Sequence, residues 1–183
     1  MKQTRVAKRY AKALFDLSLE QNLMEDVAND MKLIEQVCAE NRQLGILLAN
    51  PVIVPSKKSS VFNKIFENKI QKITERFFQI LSKKGRASII PEIAIEFKNC
   101  FREFKNILPV QVATATTLDD ENKTKVLDLL TNAFNMEIEL DAKVQPDLIG
   151  GIVISINDQR LDASIAAKLK RLQKEMISSV VTQ

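Results

Sequence analysis

The stretch 146–165, Pro-Asp-Leu-Ile-Gly-Gly-Ile-Val-Ile-Ser-Ile-Asn-Asp-Gln-Arg-Leu-Asp-Ala-Ser-Ile, constrains the fold of this 183-residue chain more than any other. It holds two of the four glycines, alternating apolar residues at Ile152, Ile154 and Ile156, a polar turn at Asn157-Asp158-Gln159-Arg160, and Asp162, placed to cap the helix that follows. Period-two spacing, then turn residues, then a period near 3.6 specify a strand, a hairpin and a docked helix. Gly150-Gly151 predicts a β-bulge or a tight strand entry, the commoner reasons for such a pair, with close approach of a partner backbone as the alternative. The stretch carries no nucleophile motif, no metal-ligand set and no phosphate cradle. Its organisation is that of a presented surface.

Upstream of residue 106 the apolar periods are helical. Val6, Tyr10, Ala13, Leu14 and Leu17 form one stripe, and Ala7, Ala11 and Phe15 widen it past half the circumference, so the first helix has apolar surface to spare. Asn22 with Glu25 reads as a variant capping box for a second helix carrying Met24, Val27, Ala28, Met31 and Ile34 and ending near Asn41. A short third helix bears Leu44, Leu47 and Leu48. Pro51 and Pro55 break it, because the residue before each proline is pushed away from helical angles. Ser56 is placed to cap a fourth helix with Val61, Phe62, Ile65 and Phe66. The fifth runs through Ile70, Ile73, Phe77, Phe78, Ile80 and Leu81, and Lys83-Lys84-Gly85 ends it with cations in the last turn and a glycine free to turn left-handed. The sixth starts near Ser88, tolerates Pro91 in its first turn, and carries Ile93, Phe97, Phe101 and Phe104. Six short-looped helices with seven of the nine phenylalanines inside imply a compact bundle.

Past 106–109 the period changes. Val110, Val112 and Thr114 alternate with Gln111 and Ala113 in a strand, and Thr117 is placed to cap a helix with Asp119, Asp120 and Glu121 in its first turn and Leu127, Leu130, Ala133 and Phe134 on its apolar side. In 136–142 every even position is apolar and every odd one acidic, a strand with one face on the core and one in water. The last helix carries Ile165, Ala166, Leu169, Leu172, Met176 and Ile177 on one side, with Lys168, Lys170, Arg171 and Lys174 facing outward. The fold class is α+β: a six-helix bundle over 1–106, then a small α/β domain over 107–183 whose short sheet is covered by two helices.

Composition narrows the function. At 45% hydrophobic residues the chain can fill a core, and no apolar run approaches the roughly 20 residues of a membrane span. Its charged amphipathic start lacks the features of a secretory signal, which predicts a protein kept in the cytoplasm. Histidine, the commonest general base, is absent. Cys38 and Cys100 have no partner motif and read as small buried hydrophobes. The glycines form no nucleotide-binding loop, and Asp147, Asp158 and Asp162 match no cation loop, each having a turn or cap to serve. No catalytic residue, cofactor or metal is expected. Residues 1–106 hold 19 basic against 12 acidic side chains (+7), and 107–183 hold 8 against 11 (−3). The basic half reads as a solvated face or, as the alternative, as a nucleic-acid-binding accessory surface. Aromatics argue against the latter, since only Tyr10 and Phe78 are left to face outward. An enzyme built on paired carboxylates would need two acids held in one cleft, and the sequence shows no such pair.

Two end segments carry a family likeness. Ala7-Lys8-Arg9-Tyr10-Ala11-Lys12-Ala13-Leu14-Phe15-Asp16 and the hairpin-to-helix stretch 151–172, with Lys84-Gly85-Arg86, Ile90-Pro91-Glu92 and Phe97 between, resemble the delta subunit of the rotary F-type ATP synthase, relative of the mitochondrial oligomycin-sensitivity-conferring protein. The resemblance implies a non-catalytic stator subunit of the proton-translocating complex, peripheral on the cytoplasmic face of a bacterial inner membrane and held there only through the complex. Its helical domain would bind the amphipathic amino-terminal segments of the alpha subunits, in a groove formed by Tyr10, Ala13, Leu14 and Leu17 with Phe77, Ile80 and Leu81 of the fifth helix. Its carboxy-terminal domain would meet the b subunits of the peripheral stalk, for which Lys168, Lys170, Arg171 and Lys174 are the candidates. Gly85, Gly150, Gly151 and Asp162 are expected to serve the structure.

Overall fold

The computed structural model describes the backbone of residues 2–181 and the side-chain surroundings of residues 4–174. Residue proximity divides the chain into two units, Met1–Phe104 and Lys105–Gln183.

The first unit contains α1 (Lys2–Glu20), α2 (Met24–Glu40), α3 (Arg42–Ala49), α4 (Pro55–Phe66), α5 (Lys72–Lys83) and, after a 3-10 turn at Ala87–Ile89, α6 (Ile90–Lys105). The helices enclose one continuous core. Phe66, Phe78, Phe97, Leu14, Ile34, Leu81, Ile90 and Ile93 are fully buried in it, each worth about 1.5–3 kcal/mol of hydrophobic transfer. Tilted and edge-on aromatic contacts link the helices: Phe62 to Phe78 at 4.8 Å, and Phe15 to Phe97 at 5.6 Å between ring centroids. Phe78, expected to face outward, is 1% exposed, and Phe104 and Phe134 are the exposed phenylalanines instead, at 55% and 45%. Cys38 and Cys100 are half-buried rather than buried.

Long-range polar pins hold helix ends that the sequence does not cap. Asp30 of α2 accepts hydrogen bonds from the Gln71 amide (2.8 Å) and the Thr74 hydroxyl (2.6 Å), satisfying donors of the first turn of α5. Burial is the main reason its carboxyl is pushed above its ordinary value. The buried Lys58 ammonium of α4 donates to the Leu48 carbonyl at 2.6 Å, near the end of α3. Three expected caps differ. Asn22 takes a left-handed φ of 56° and leaves Leu23 at the cap of α2, without a side-chain bond. Pro55 occupies the first turn of α4 after Val54, ahead of Ser56. Asp119 rather than Thr117 precedes α7, again with no side-chain cap bond.

The second unit runs β1 (Ile107–Thr114), α7 (Asp120–Phe134), β2 (Glu137–Val144), a 3-10 turn at Pro146–Leu148, β3 (Ile152–Ile156), β4 (Gln159–Asp162) and α8 (Ile165–Val181). The sheet order is β2-β1-β3-β4. The β1–β2 pair is parallel, which a crossover through α7 allows, and the other pairs are antiparallel. Val110, Val112 and Leu130 form the core, with Val126, Ile138, Leu140, Ile152, Ile154 and Ile156 packed against it. Ala133 and Phe134, expected on the apolar side of α7, lie exposed in its last turn. The larger correction concerns the second cover of the sheet. Ile165, Leu169 and Leu172, the stripe expected to dock α8, are 44%, 53% and 52% exposed. They take no part in the sheet's core, because α8 packs on the 146–148 turn instead. The side chains of Met176 and Ile177 lie outside the described residues.

Candidate functional site: an aromatic-floored groove and an open helix face

The core face of α1 is Ala7, Ala11, Leu14, Phe15 and Ser18, all buried. A second row at four-, three- and four-residue steps, Val6, Tyr10, Ala13 and Leu17, lies beside it, half-buried at Val6 and Tyr10 and exposed at Ala13 and Leu17. On α5 the core face is Thr74, Phe78, Leu81 and Ser82, and the row beside it is Ile73, Phe77 and Ile80. Tyr10 and Phe77 meet edge-on at 6.2 Å, so the two outer rows meet at that pair. Of the seven residues expected to line a groove, Tyr10, Ala13, Leu17, Phe77 and Ile80 lie in these outer rows. Leu14 and Leu81 do not: both are 0% exposed and belong to the core.

Arg86, absent from the expected groove set, closes this arrangement. Its guanidinium lies 5.5 Å from the Tyr10 ring centroid and donates to the Tyr10 hydroxyl. The local chain explains its position. Arg86 N–H bonds the Leu81 carbonyl at 2.8 Å and Gly85 N–H bonds the Ser82 carbonyl at 3.0 Å, a Schellman end for α5. That end needs the left-handed φ of 68° found at Gly85. The Gly-Arg pair therefore stops α5 and turns the arginine toward α1.

In the second unit Lys168, Lys170, Arg171 and Lys174 are exposed, as are the apolar Ile165, Leu169 and Leu172 on the same helix. Their root is tightly built. A Cβ on Gly151, which has φ +79°, would sit 2.5 Å from the Ala163 carbonyl oxygen, and one on Gly150 would meet the Ile165 side chain at 2.7 Å. Gly151 thus serves close packing of backbone inside the chain, whereas at Gly150 only the movable end of Ile165 is met. Asp162, expected to cap α8, is the last residue of β4, and Ser164 does the capping: its hydroxyl accepts from the Ala167 amide at 3.1 Å. Asp162 holds that serine in place by accepting from its hydroxyl (2.6 Å) and its amide (3.0 Å). Those bonds, the hydroxyl's first, lower the aspartate's pKa. Among the described residues, no cluster of three or more acidic or cysteine side chains is arranged to hold a metal ion, and no helix is long and apolar enough to cross a membrane.

Known proteins share both the sequence and the fold. The delta subunit of Cytophaga hutchinsonii ATP synthase is 32% identical over 99% of each chain. That of Moorella thermoacetica is 33% identical over 96% of this chain and 98% of its own. In the cryo-EM structure of the Toxoplasma gondii mitochondrial ATP synthase hexamer, one chain shares the fold with a TM-score of 0.73 at 18% identity, over 93% of this chain and 97% of that one. The family model for the ATP synthase delta (OSCP) subunit matches residues 6–176. With that match spanning both units, the chain belongs to the ATP synthase delta (OSCP) subunit family.

Proposed function

We propose that this chain ties the catalytic head of the F-type ATP synthase to its peripheral stalk, one unit to each, at the cytoplasmic face of the bacterial membrane. Family membership makes it a non-catalytic subunit of that complex. The observation that carries the division of labour is the pair of outer apolar rows, Val6-Tyr10-Ala13-Leu17 and Ile73-Phe77-Ile80, joined at the Tyr10–Phe77 contact. Such rows suit the apolar face of one amphipathic helix, and the alpha amino-terminal segment is the occupant proposed here. The exposed face of α8, apolar at Ile165, Leu169 and Leu172 and basic at Lys168, Lys170, Arg171 and Lys174, is proposed to meet the b subunits. A joint that resists repeated torque needs nanomolar affinity or better, on the order of 12 kcal/mol, which favours contacts from both units.

Calorimetry with a peptide of the alpha amino terminus tests the first half. Ala13 is exposed, so Ala13→Asp should leave the melt unchanged. It would bury an unpaired charge in the complex, weakening binding by about 3 kcal/mol, roughly a hundredfold. Unchanged affinity in the folded variant removes the peptide from this groove. For the second half, Lys170→Glu with Arg171→Glu should weaken capture of the b subunits and spare the alpha peptide. Equal loss at both partners, or at neither, refutes the division.

A further inference from the structure

The two rims of the groove differ in charge. The surface line of α1 next to the Val6-Tyr10-Ala13-Leu17 row is Arg5, Arg9, Asp16 and Glu20, two cations and two anions. On α5 the matching line is Lys72, Arg76 and Lys83, spaced by four and seven residues. Arg76 stands three residues after Ile73 and four before Ile80. Lys84, four residues beyond Ile80, extends the apolar row itself with a fourth cation. All four are exposed, and none forms an ion pair among the described residues. The acidic residue of α5, Glu75, is half-buried and accepts a hydrogen bond from Gln79 at 3.0 Å, off this line. An apolar groove is thus bordered on one side by an unbalanced row of positive charge.

We propose that the groove selects an amphipathic helix that is acidic along the flank lying against α5, with Arg76 and Lys83 as the central recognition residues and Lys72 and Lys84 at the ends of the row. The proposal rests on the groove being the docking site proposed above and adds what the occupant must look like. The apolar rows supply attraction for any amphipathic helix. The cationic rim discriminates among them, because a helix with basic residues on that flank is repelled. It also fixes polarity and register, since only one placement of an asymmetric helix brings its acids to α5. Exposed charges at this spacing act through a screened field, so the contribution is moderate and sensitive to salt. It falls far short of the salt collapse expected of a phosphate-binding surface.

The test uses the full-length chain and a synthetic peptide of the alpha amino terminus, titrated calorimetrically at low and high salt. Arg76→Glu with Lys83→Glu should weaken binding about tenfold at low salt, less at high salt. A peptide with its acidic residues changed to lysine should reverse the preference, binding the variant better than the parent. The milder Arg76→Gln with Lys83→Gln should lose part of the affinity and covers the case in which charge reversal disturbs α5. Equal affinity of parent and both variants at low salt overturns the acidic flank. If Ala13→Asp abolishes binding while the rim variants bind normally, the groove stands and this inference fails. If Ala13→Asp is neutral, the groove assignment itself fails. Displacement of the peptide by single-stranded DNA, lost in the rim variants, would reassign the row to nucleic acid.

Discussion

The helical unit and the α/β unit differ in the depth of their cores more than in the apolar surface that they leave exposed. The first seals Phe66, Phe78 and Phe97 completely in a continuous core, and its exposed large apolar side chains are scattered over Leu19, Ile46, Val52, Val54, Ile95 and Phe104 besides the double row. The second gathers Val110, Val112 and Leu130 into a small core and leaves Leu129, Phe134, Val144, Ile149, Leu161, Ile165, Leu169 and Leu172 exposed. A deep, fully packed core is suited to hold its surface rows in place when a partner docks on them. An exposed apolar helix face is suited to be completed by its partner, which then belongs to the fold as much as to the interface.

The strongest way to break that comparison is to hollow each unit in turn. Phe97→Ala should cost the helical unit about 3–5 kcal/mol, because the ring is fully buried and a cavity would remain. Leu172→Ala should change the stability of the free chain by no more than about 0.5 kcal/mol, as at other exposed sites. Denaturant melts of both variants check this, and a large loss at Leu172 would mean that α8 is packed in solution. Next in size is the pin between α2 and α5. Asp30→Ala leaves the Gln71 amide and the Thr74 hydroxyl without their acceptor, at about 1–3 kcal/mol. Because burial raises the Asp30 carboxyl above 3.8 in the folded chain, the folded state holds the proton more tightly than the unfolded one. The stability difference between parent and variant should therefore shrink as pH rises from 3.8 through the folded-state value, then level off. A difference that grows over that window contradicts the assignment. The smallest effect separates cap from support. Ser164→Ala should cost about 1 kcal/mol, and Asp162→Ala less, since it removes only the group that orients the serine. Unfolding titrations that rank the two in the other order would restore Asp162 as the cap.

Much of this was legible in the chain, and the exceptions have definite causes. Helix and strand periods placed the elements because each has one dominant apolar face, as with Val110, Val112 and Thr114 on β1. Periodicity could not divide the broad apolar arc of α1 between its two neighbours. Tyr10 and Leu14 are one turn apart on the same arc, yet one borders the groove and the other is sealed. Local chemistry misled at the caps, where several cap-forming residues stood close together: Asp162 and Ser164 are both good candidates, and the helix begins after the second. Asn22, Asn106, Asn135 and Asn157 all take left-handed angles at turns, a role that competes with capping for the same residue type. The Asp30–Thr74 and Lys58–Leu48 pins join distant parts of the chain, and no local pattern announces them. In the sequence Arg86 stands out only as part of a turn, and its approach to Tyr10 depends on the cap geometry at Gly85.

The root of α8 has a mechanical meaning. Ile165 donates its amide to the Gly150 carbonyl at 2.9 Å, and Ala163 donates to the Ile152 carbonyl at the same distance, so the start of the helix is stitched to the entry of β3 rather than hung from β4 alone. A pull on the helix is then shared between two strands, and β3 passes it to β1 along a ladder from Val110–Ile156 to Thr114–Ile152. Where the pull runs along the strands, those bonds must yield together rather than one after another, which makes the ladder an anchor instead of a zipper. Gly151, by letting Ala163 come so near, is what keeps the load on both strands.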